Sequence, residues 1–157
     1  MSIDINSLVN STLQLLNSEL ISRRIDVKLD LANGLPATLG DPVQLQQVLL
    51  NLIMNAMDAM VSTPVAQRIV TISTRATPAG SVEVLVKDCG TGIQAVELGR
   101  IFEPFYTTKT HGLGLGLTVC STIAEAHGGN IRLVNDEGGG AVARLSLPAQ
   151  EMLIAAK

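Results

Sequence analysis

Three short clusters in this chain carry groups suited to chemistry. The first is a polar stripe, Gln44, Gln47, Asn51, Asn55 and Asp58, whose spacing places it on one side of an α-helix. A solvent face normally carries Lys, Glu and Arg, whereas this one holds no cation and a single anion. Neutral amide oxygens are hard ligands that suit a magnesium ion already bound to phosphates, although an ordinary polar face gives the same pattern. The second cluster, Asp88-Cys89-Gly90-Thr91-Gly92-Ile93, directly follows an alternating strand pattern. A carboxylate fixed there by a glycine turn can accept a hydrogen bond from an exocyclic amine, which selects adenine over guanine. A plain Asp-Gly turn is the competing explanation.

The third cluster, Gly112-Leu113-Gly114-Leu115-Gly116-Leu117, leads into a helical pattern. Glycine amides ahead of a helix N-terminus favour phosphate binding. This run is not a Walker A loop, because no Gly-Lys-Ser/Thr follows. It is not a dinucleotide fingerprint either, because Leu117 sits where the third glycine should be. Between the second and third clusters lies Ile101-Phe102-Glu103-Pro104-Phe105-Tyr106-Thr107-Thr108-Lys109, which contains all three aromatic residues of the chain. Long loops in compact domains are functional or disordered. The aromatics give this one something to dock, and Lys109 is placed to reach a terminal phosphate, so the segment reads as a nucleotide lid.

The elements that must position these clusters follow from periodicity. Leu8, Val9, Leu13, Leu16 and Leu20 predict an amphipathic helix over 6–21, capped by Asn6 or Ser7. A strand over 25–31 ends at Asn33-Gly34. Asp41 as N-cap, Pro42 in the first turn and Gln44 as in a capping box start a helix that runs to about Met60. Its apolar face, Leu45, Val48, Leu49, Leu52, Ile53, Ala56, Met57 and Met60, is core. Strands over 68–74 and 81–87 flank a Pro78-Ala79-Gly80 turn. A helix resumes near Gly114 and ends at His127, with Gly128 suited to a left-handed C-terminal position. A hairpin of 130–135 and 141–147 turns around Gly138-Gly139-Gly140. The order predicts a two-layer α/β sandwich, one domain over 1–149 and a C-terminal tail over 150–157.

Composition agrees with a single aliphatic core: of 157 residues, 46% are hydrophobic, 16% charged and only 2% aromatic. A net charge of −3 without basic clusters or stacking aromatics argues against nucleic acid as a partner. No apolar stretch approaches a membrane span, and the only cysteines, Cys89 and Cys120, lack metal-ligand spacing and fit a reducing, cytoplasmic setting.

The order of the clusters is more specific than any one of them. Asn on a helix, Asp-x-Gly-x-Gly after a strand, a Phe-Pro-Phe loop and a glycine run resemble the N, G1, F and G2 boxes of the GHKL ATPase/kinase superfamily. Within it, Asn51-Leu52-Ile53-Met54-Asn55-Ala56-Met57-Asp58-Ala59 and Phe102 to Lys109 are similar to the NLxxNAxDA and FEPFxTTK patterns of nitrogen- and oxygen-sensing histidine kinases. The resemblance implies a Bergerat fold: a mixed sheet of about five strands with about three helices on one face. It implies ATP and Mg2+ as ligands, with Asn55 on the metal, and Asn51, Asn55 and Lys109 as the catalytic set. Asp88 would hold the adenine amine. Asp58, Gly90, Gly92, Ile93, Phe102, Thr107, Thr108, Lys109 and His111 would line the nucleotide, and Gly112, Leu113, Gly114, Leu115, Gly116 and Leu117 would wrap its phosphates.

Gyrase-type members place a glutamate, the general base for water, where Asn51 stands; an amide takes no proton at neutral pH, so hydrolysis is disfavoured and transfer to an external histidine fits better. The implied partners are a histidine-bearing dimerisation domain of the same kinase and a downstream response regulator, with the isolated domain monomeric and cytoplasmic and membrane anchoring left to the parent protein. Neither His111, in the lid, nor His127, at a helix end, has phosphoacceptor context, and His127 reads as structural. Two departures stand out. Gly140-Ala141-Val142-Ala143 lacks the Thr that the family often carries on its closing strand, and Asp58 stands where many members have Lys or Arg. A degenerate binding module and an anti-sigma serine kinase of the same superfamily are the alternatives.

Overall fold

A computed structural model describes residues 1–92 and 116–151. The elements in chain order are β1 (Ser2–Ile3), α1 (Ile5–Leu15), α2 (Asn17–Ser22), β2 (Asp26–Asp30), β3 (Thr38–Leu39), α3 (Pro42–Ala59), a short 3-10 turn (Val65–Gln67), β4 (Ile69–Ala76), β5 (Ser81–Lys87), α4 (Gly116–Ala126), β6 (Asn130–Asn135) and β7 (Ala141–Pro148). Five strands form a mixed sheet in the order β2-β4-β5-β7-β6, and β1 pairs with β3 in a separate two-stranded ribbon. Only β2 and β4 run parallel; β4, β5, β7 and β6 pair antiparallel in turn. The result is the two-layer mixed sandwich expected from the sequence, with the helices packed on one face.

Alternation along the strands decides which face is which. Val82, Val84 and Val86 of β5 and Ala143, Leu145 and Leu147 of β7 point to the helices and are buried. They meet the apolar face of α3, where every residue from Leu45 to Met60 expected in the core is buried. The opposite face of the sheet has no helix among the described residues. There Glu83, 7% exposed, lies between Arg75 (Nε–Oε1 2.6 Å) and Arg144 (Nε–Oε2 3.6 Å). Charged Asp26, Lys28 and Asp30 along β2 guard that edge against further strand pairing.

The first helix differs from expectation. It begins one residue earlier and breaks at Leu16 (φ −94°, ψ 2°), so 6–21 is two helices rather than one. Its cap is Asp4, whose carboxylate accepts from the Ser7 amide at 3.2 Å, and not Asn6 or Ser7. Asn6 serves a longer-range purpose: its Nδ2 donates to the Ala32 carbonyl at 2.8 Å, and its Oδ1 accepts from the Thr74 hydroxyl at 2.8 Å. Those bonds pin α1 over β4 and the end of β2. At the other end of the domain, Ala149 bridges to Thr38 and the Gln150 amide donates to the Ala37 carbonyl at 2.7 Å. Among the described residues no helix is long and apolar enough to cross a membrane.

Candidate functional site

The best-defined piece of the site is Asp88, the first residue after β5. It is 5% exposed, and its Oδ1 accepts from the Gly90 amide at 2.9 Å and the Ala141 amide at 3.2 Å. Among the described residues no hydrogen bond falls on Oδ2. One oxygen is therefore spent holding the turn, and the other is available to a donor. Burial pushes the carboxyl above its ordinary value, while the two amide bonds pull it back. A partly desolvated carboxylate of this kind binds strongly to a matching amine donor.

Glycines create the room around it. A Cβ on Gly90 would strike the Ala59 carbonyl at the end of α3, so the turn after Asp88 lies directly on that helix. Gly140 (φ +79°) approaches the Asp88 carbonyl just as closely, and Gly92 (φ +79°) abuts the Asn135 side chain. Lys87 Nζ binds Asp136 Oδ2 at 3.0 Å, fastening the β6–β7 turn to the end of β5. That hydrogen bond, then the Gly138 amide, holds Asp136 below the usual carboxylate range.

Helix α3 is the wall shared by the remaining parts. Asp41 caps it, accepting from the amides of Val43 (2.9 Å) and Gln44 (3.4 Å). The backbone N–H of Asp41 does not go to Gln44, as a capping box would have it. It donates instead to His127 Nε2 at 3.1 Å, while His127 Nδ1 sits 2.7 Å from the Ile123 carbonyl. An N–H facing Nε2 requires that nitrogen to accept, so the ring proton lies on Nδ1 and both nitrogens are satisfied. His127 is structural, as its sequence context suggested, and it ties the end of α4 to the start of α3.

Asn51 and Asn55 are half-buried, one turn apart on α3, about 6 Å along its axis. Asn51 Nδ2 donates to Cys120 Sγ of α4 at 3.4 Å, so this amide faces the helix that follows the glycine run. Asp58, the next residue on that side, accepts from Arg23 Nη1 at 2.7 Å, and Arg23 also binds Glu19 at 3.1 Å. The Asp58 and Glu19 bonds raise the Arg23 guanidinium, against a lowering by burial. Gly116 and Leu117 form the first turn of α4. The structure thus sets Asn51, Asn55 and Asp58 along α3, Gly116 and Leu117 on α4 packed beside it, and Asp88 and Gly90 in the turn that meets its C-terminal end, while Gly92 lies against Asn135. The remaining expected site residues, Ile93, Phe102, Thr107, Thr108, Lys109, His111, Gly112, Leu113, Gly114 and Leu115, lie outside the described residues, as does the expected helix start near Gly114.

Two contributors were not visible in the sequence. Ala141 acts through its backbone amide, for which no residue type is a signal. Cys120 read only as a small buried residue, and its partner shows only when α3 and α4 are side by side.

The histidine kinase-, DNA gyrase B-, and HSP90-like ATPase family matches residues 40–151, the segment from the start of α3 to the end of the sheet. The chain belongs to this family. Sensor histidine kinase ZraS of Escherichia coli K12 is 41% identical over 148 residues, covering 94% of this chain and 30% of ZraS. Sensor protein FixL of Bradyrhizobium diazoefficiens is 38% identical over 131 residues, covering 82% of this chain and 25% of FixL. The chain therefore spans under a third of the length of these relatives. Among solved structures, the catalytic domain of histidine kinase ThkA superposes with a TM-score of 0.83 at 29% identity, over 97% of both chains. Full-length ShkA in complex with AMPPNP matches with a TM-score of 0.81 at 29% identity, over 96% of this chain and 31% of ShkA. The fold of the ATPase family is thus the fold of this chain, with α3 carrying the Asn residues and Asp88 following β5.

Proposed function

We propose that this domain binds Mg-ATP and presents its γ-phosphoryl group to a histidine on a dimerisation domain of the same sensor kinase, from which it passes to a response regulator. The observation that carries the reading is Asp88, a buried carboxylate with one oxygen committed to the turn and the other unclaimed among the described residues. The unclaimed oxygen suits the exocyclic amine of adenine. Gly90 and Gly92 let the backbone lie flat against the base. Asn55, one turn before Ala59 and the Gly90 contact, would supply a neutral amide oxygen as a ligand to magnesium. When bound, that ion would offset negative charge on the transferring phosphoryl group. Gly116, at the start of α4, would offer its amide to the phosphates, with Gly112, Gly114 and Lys109 as further contacts.

In the transfer, an imidazole nitrogen of the partner histidine forms the new P–N bond as the bond from γ-phosphorus to the β–γ bridging oxygen breaks. ADP leaves and the imidazole N–H proton is lost to solvent. The chain's own part is positioning. Asn51 stands where a carboxylate would serve as the base for water, and an amide cannot take that proton, which supports transfer over hydrolysis. The AMPPNP complex of ShkA and the sensor-kinase relatives support the same reading.

A second reading, a binding module without transfer, draws on Ala141. It reaches Asp88 through its amide alone and offers no hydroxyl beside the base. The test is to supply a separately expressed dimerisation domain bearing the acceptor histidine and follow labelled phosphate from ATP. Transfer to that domain, dependent on Asn55, is expected. Tight ATP binding without transfer favours the binding module, and no ATP binding refutes both.

A further inference from the structure

We propose that Cys120 is a positioning residue that locks the rotation of the Asn51 carboxamide, so that Asn51 presents its oxygen, not its NH2, to the magnesium side of the site. The inference rests on the Mg-ATP reading above. Asn51 Nδ2 donates to Cys120 Sγ at 3.4 Å, and Cys120 Sγ lies 4.0 Å from the Val48 carbonyl, the acceptor for its S–H. The sulfur is therefore both acceptor and donor in a three-part chain, Asn51 N–H to sulfur to Val48 carbonyl. Val48 is one turn before Asn51 on α3, so the chain leaves α3, touches α4 and returns.

The direction of that chain matters because an amide has two chemically opposite ends of nearly equal size. Were Asn51 flipped, the thiol would have to turn its one hydrogen from Val48 to the amide oxygen, so the flipped amide keeps one hydrogen bond at the sulfur where the present one allows two. Cys120 is fully buried, so no water can step in to replace the bond that a flip would lose. Burial also pushes the thiol above its ordinary value, against a lowering by Asn51, so the S–H hydrogen stays in place at neutral pH. With Nδ2 held on the sulfur, Oδ1 is the branch turned away from Cys120, and among the described residues it accepts no hydrogen bond. An oxygen on that branch can accept from a water on a bound cation, whereas an NH2 there would repel it.

The test is a Mg2+ titration at fixed ATP on the whole chain, comparing wild type, Cys120→Val, Cys120→Ala and Cys120→Ser. Cys120→Val and Cys120→Ala are expected to raise the Mg2+ half-saturation concentration about two- to tenfold, as for one lost hydrogen bond. Metal-free ATP affinity should stay unchanged, and Cys120→Ser should restore the Mg2+ value to within twofold. In an Asn51→Ala background, Cys120→Val should add nothing, because the thiol acts through the amide. If Cys120→Val does not fold, the smaller Cys120→Ala decides. Wild-type Mg2+ dependence in both apolar variants overturns the inference while leaving Mg-ATP binding intact. A wild type that binds ATP but shows no Mg2+ dependence overturns it together with the magnesium assignment.

Discussion

Replacing Asp88 with asparagine isolates the adenine contact from the fold. Asp88→Ala is the blunter change, because it would orphan the amides of Gly90 and Ala141 as well as remove the base contact. Asparagine can keep its oxygen on those two amides. Its NH2 then takes the place of Oδ2, and a donor faces the adenine amine. The loss is that of a charge-assisted hydrogen bond, about 1.5–3 kcal/mol, or roughly 10- to 150-fold in affinity. Guanine presents a carbonyl where adenine has its amine, so Mg-GTP should bind Asp88→Asn no worse than it binds wild type. Calorimetric titration with both nucleotides reads this as a collapse of the ATP:GTP ratio at little change in melting temperature.

The same residue sets an acid-side signature. Its folded-state value is raised above the ordinary 3.8, so the unfolded state releases the proton first as pH rises. Its contribution to stability is full below the ordinary value and is lost as pH climbs through the raised one, so Asp88→Asn should gain on wild type across that window. ATP affinity should run the opposite way and weaken on acidification once the carboxyl is protonated. An Asp88→Asn protein that stays folded and still prefers ATP by the wild-type margin would remove the adenine assignment.

Glycine substitutions separate shape from ligand contact. Gly90→Ala drives a methyl into the Ala59 carbonyl and should cost about 1–3 kcal/mol in a thermal melt along with ATP affinity; an unchanged melting temperature contradicts the packing described. Gly116→Ala meets nothing within 4 Å among the described residues, so it should melt no lower than wild type yet bind ATP more weakly. Wild-type ATP affinity in that variant would exclude a phosphate packed close against the Gly116 Cα. His127→Ala removes two hydrogen bonds and should cost about 1.5–3 kcal/mol in denaturant titration, with nucleotide affinity and phosphate transfer kept in the folded protein. A tenfold loss of affinity at full folding would place His127 in the site itself.

Much of this was legible in the sequence because local signals and burial agreed. The seven apolar positions of α3 and its C-cap Met60 repeat at helical spacing and are all buried, and Asp41-Pro42 starts the helix where capping chemistry says it should. The place of Asp88 was legible because an alternating strand pattern meets a glycine turn there, whereas its adenine role rested on the order of the clusters. The errors arise where a choice is made across the fold. Asp4 outcompeted Asn6 as the cap of α1 because Asn6 was claimed by Ala32 and Thr74, 26 and 68 residues away. Gln44 lost the Asp41 amide to His127, 86 residues away. The short β1–β3 ribbon left no periodicity to read, since each strand is two residues long.

The tie between His127 and Asp41 has a mechanical consequence. Near its C-terminal end α3 bears on the Gly90 turn through the Ala59 carbonyl, and that contact can serve as a pivot. Asn55 stands about 6 Å from it and Asp41 about 27 Å, so the helix is a lever with a ratio of roughly 4.5 to 1. A 1 Å swing at the capped end would then move Asn55 by only about 0.2 Å. Disturbance arriving at the far end reaches the nucleotide strongly geared down.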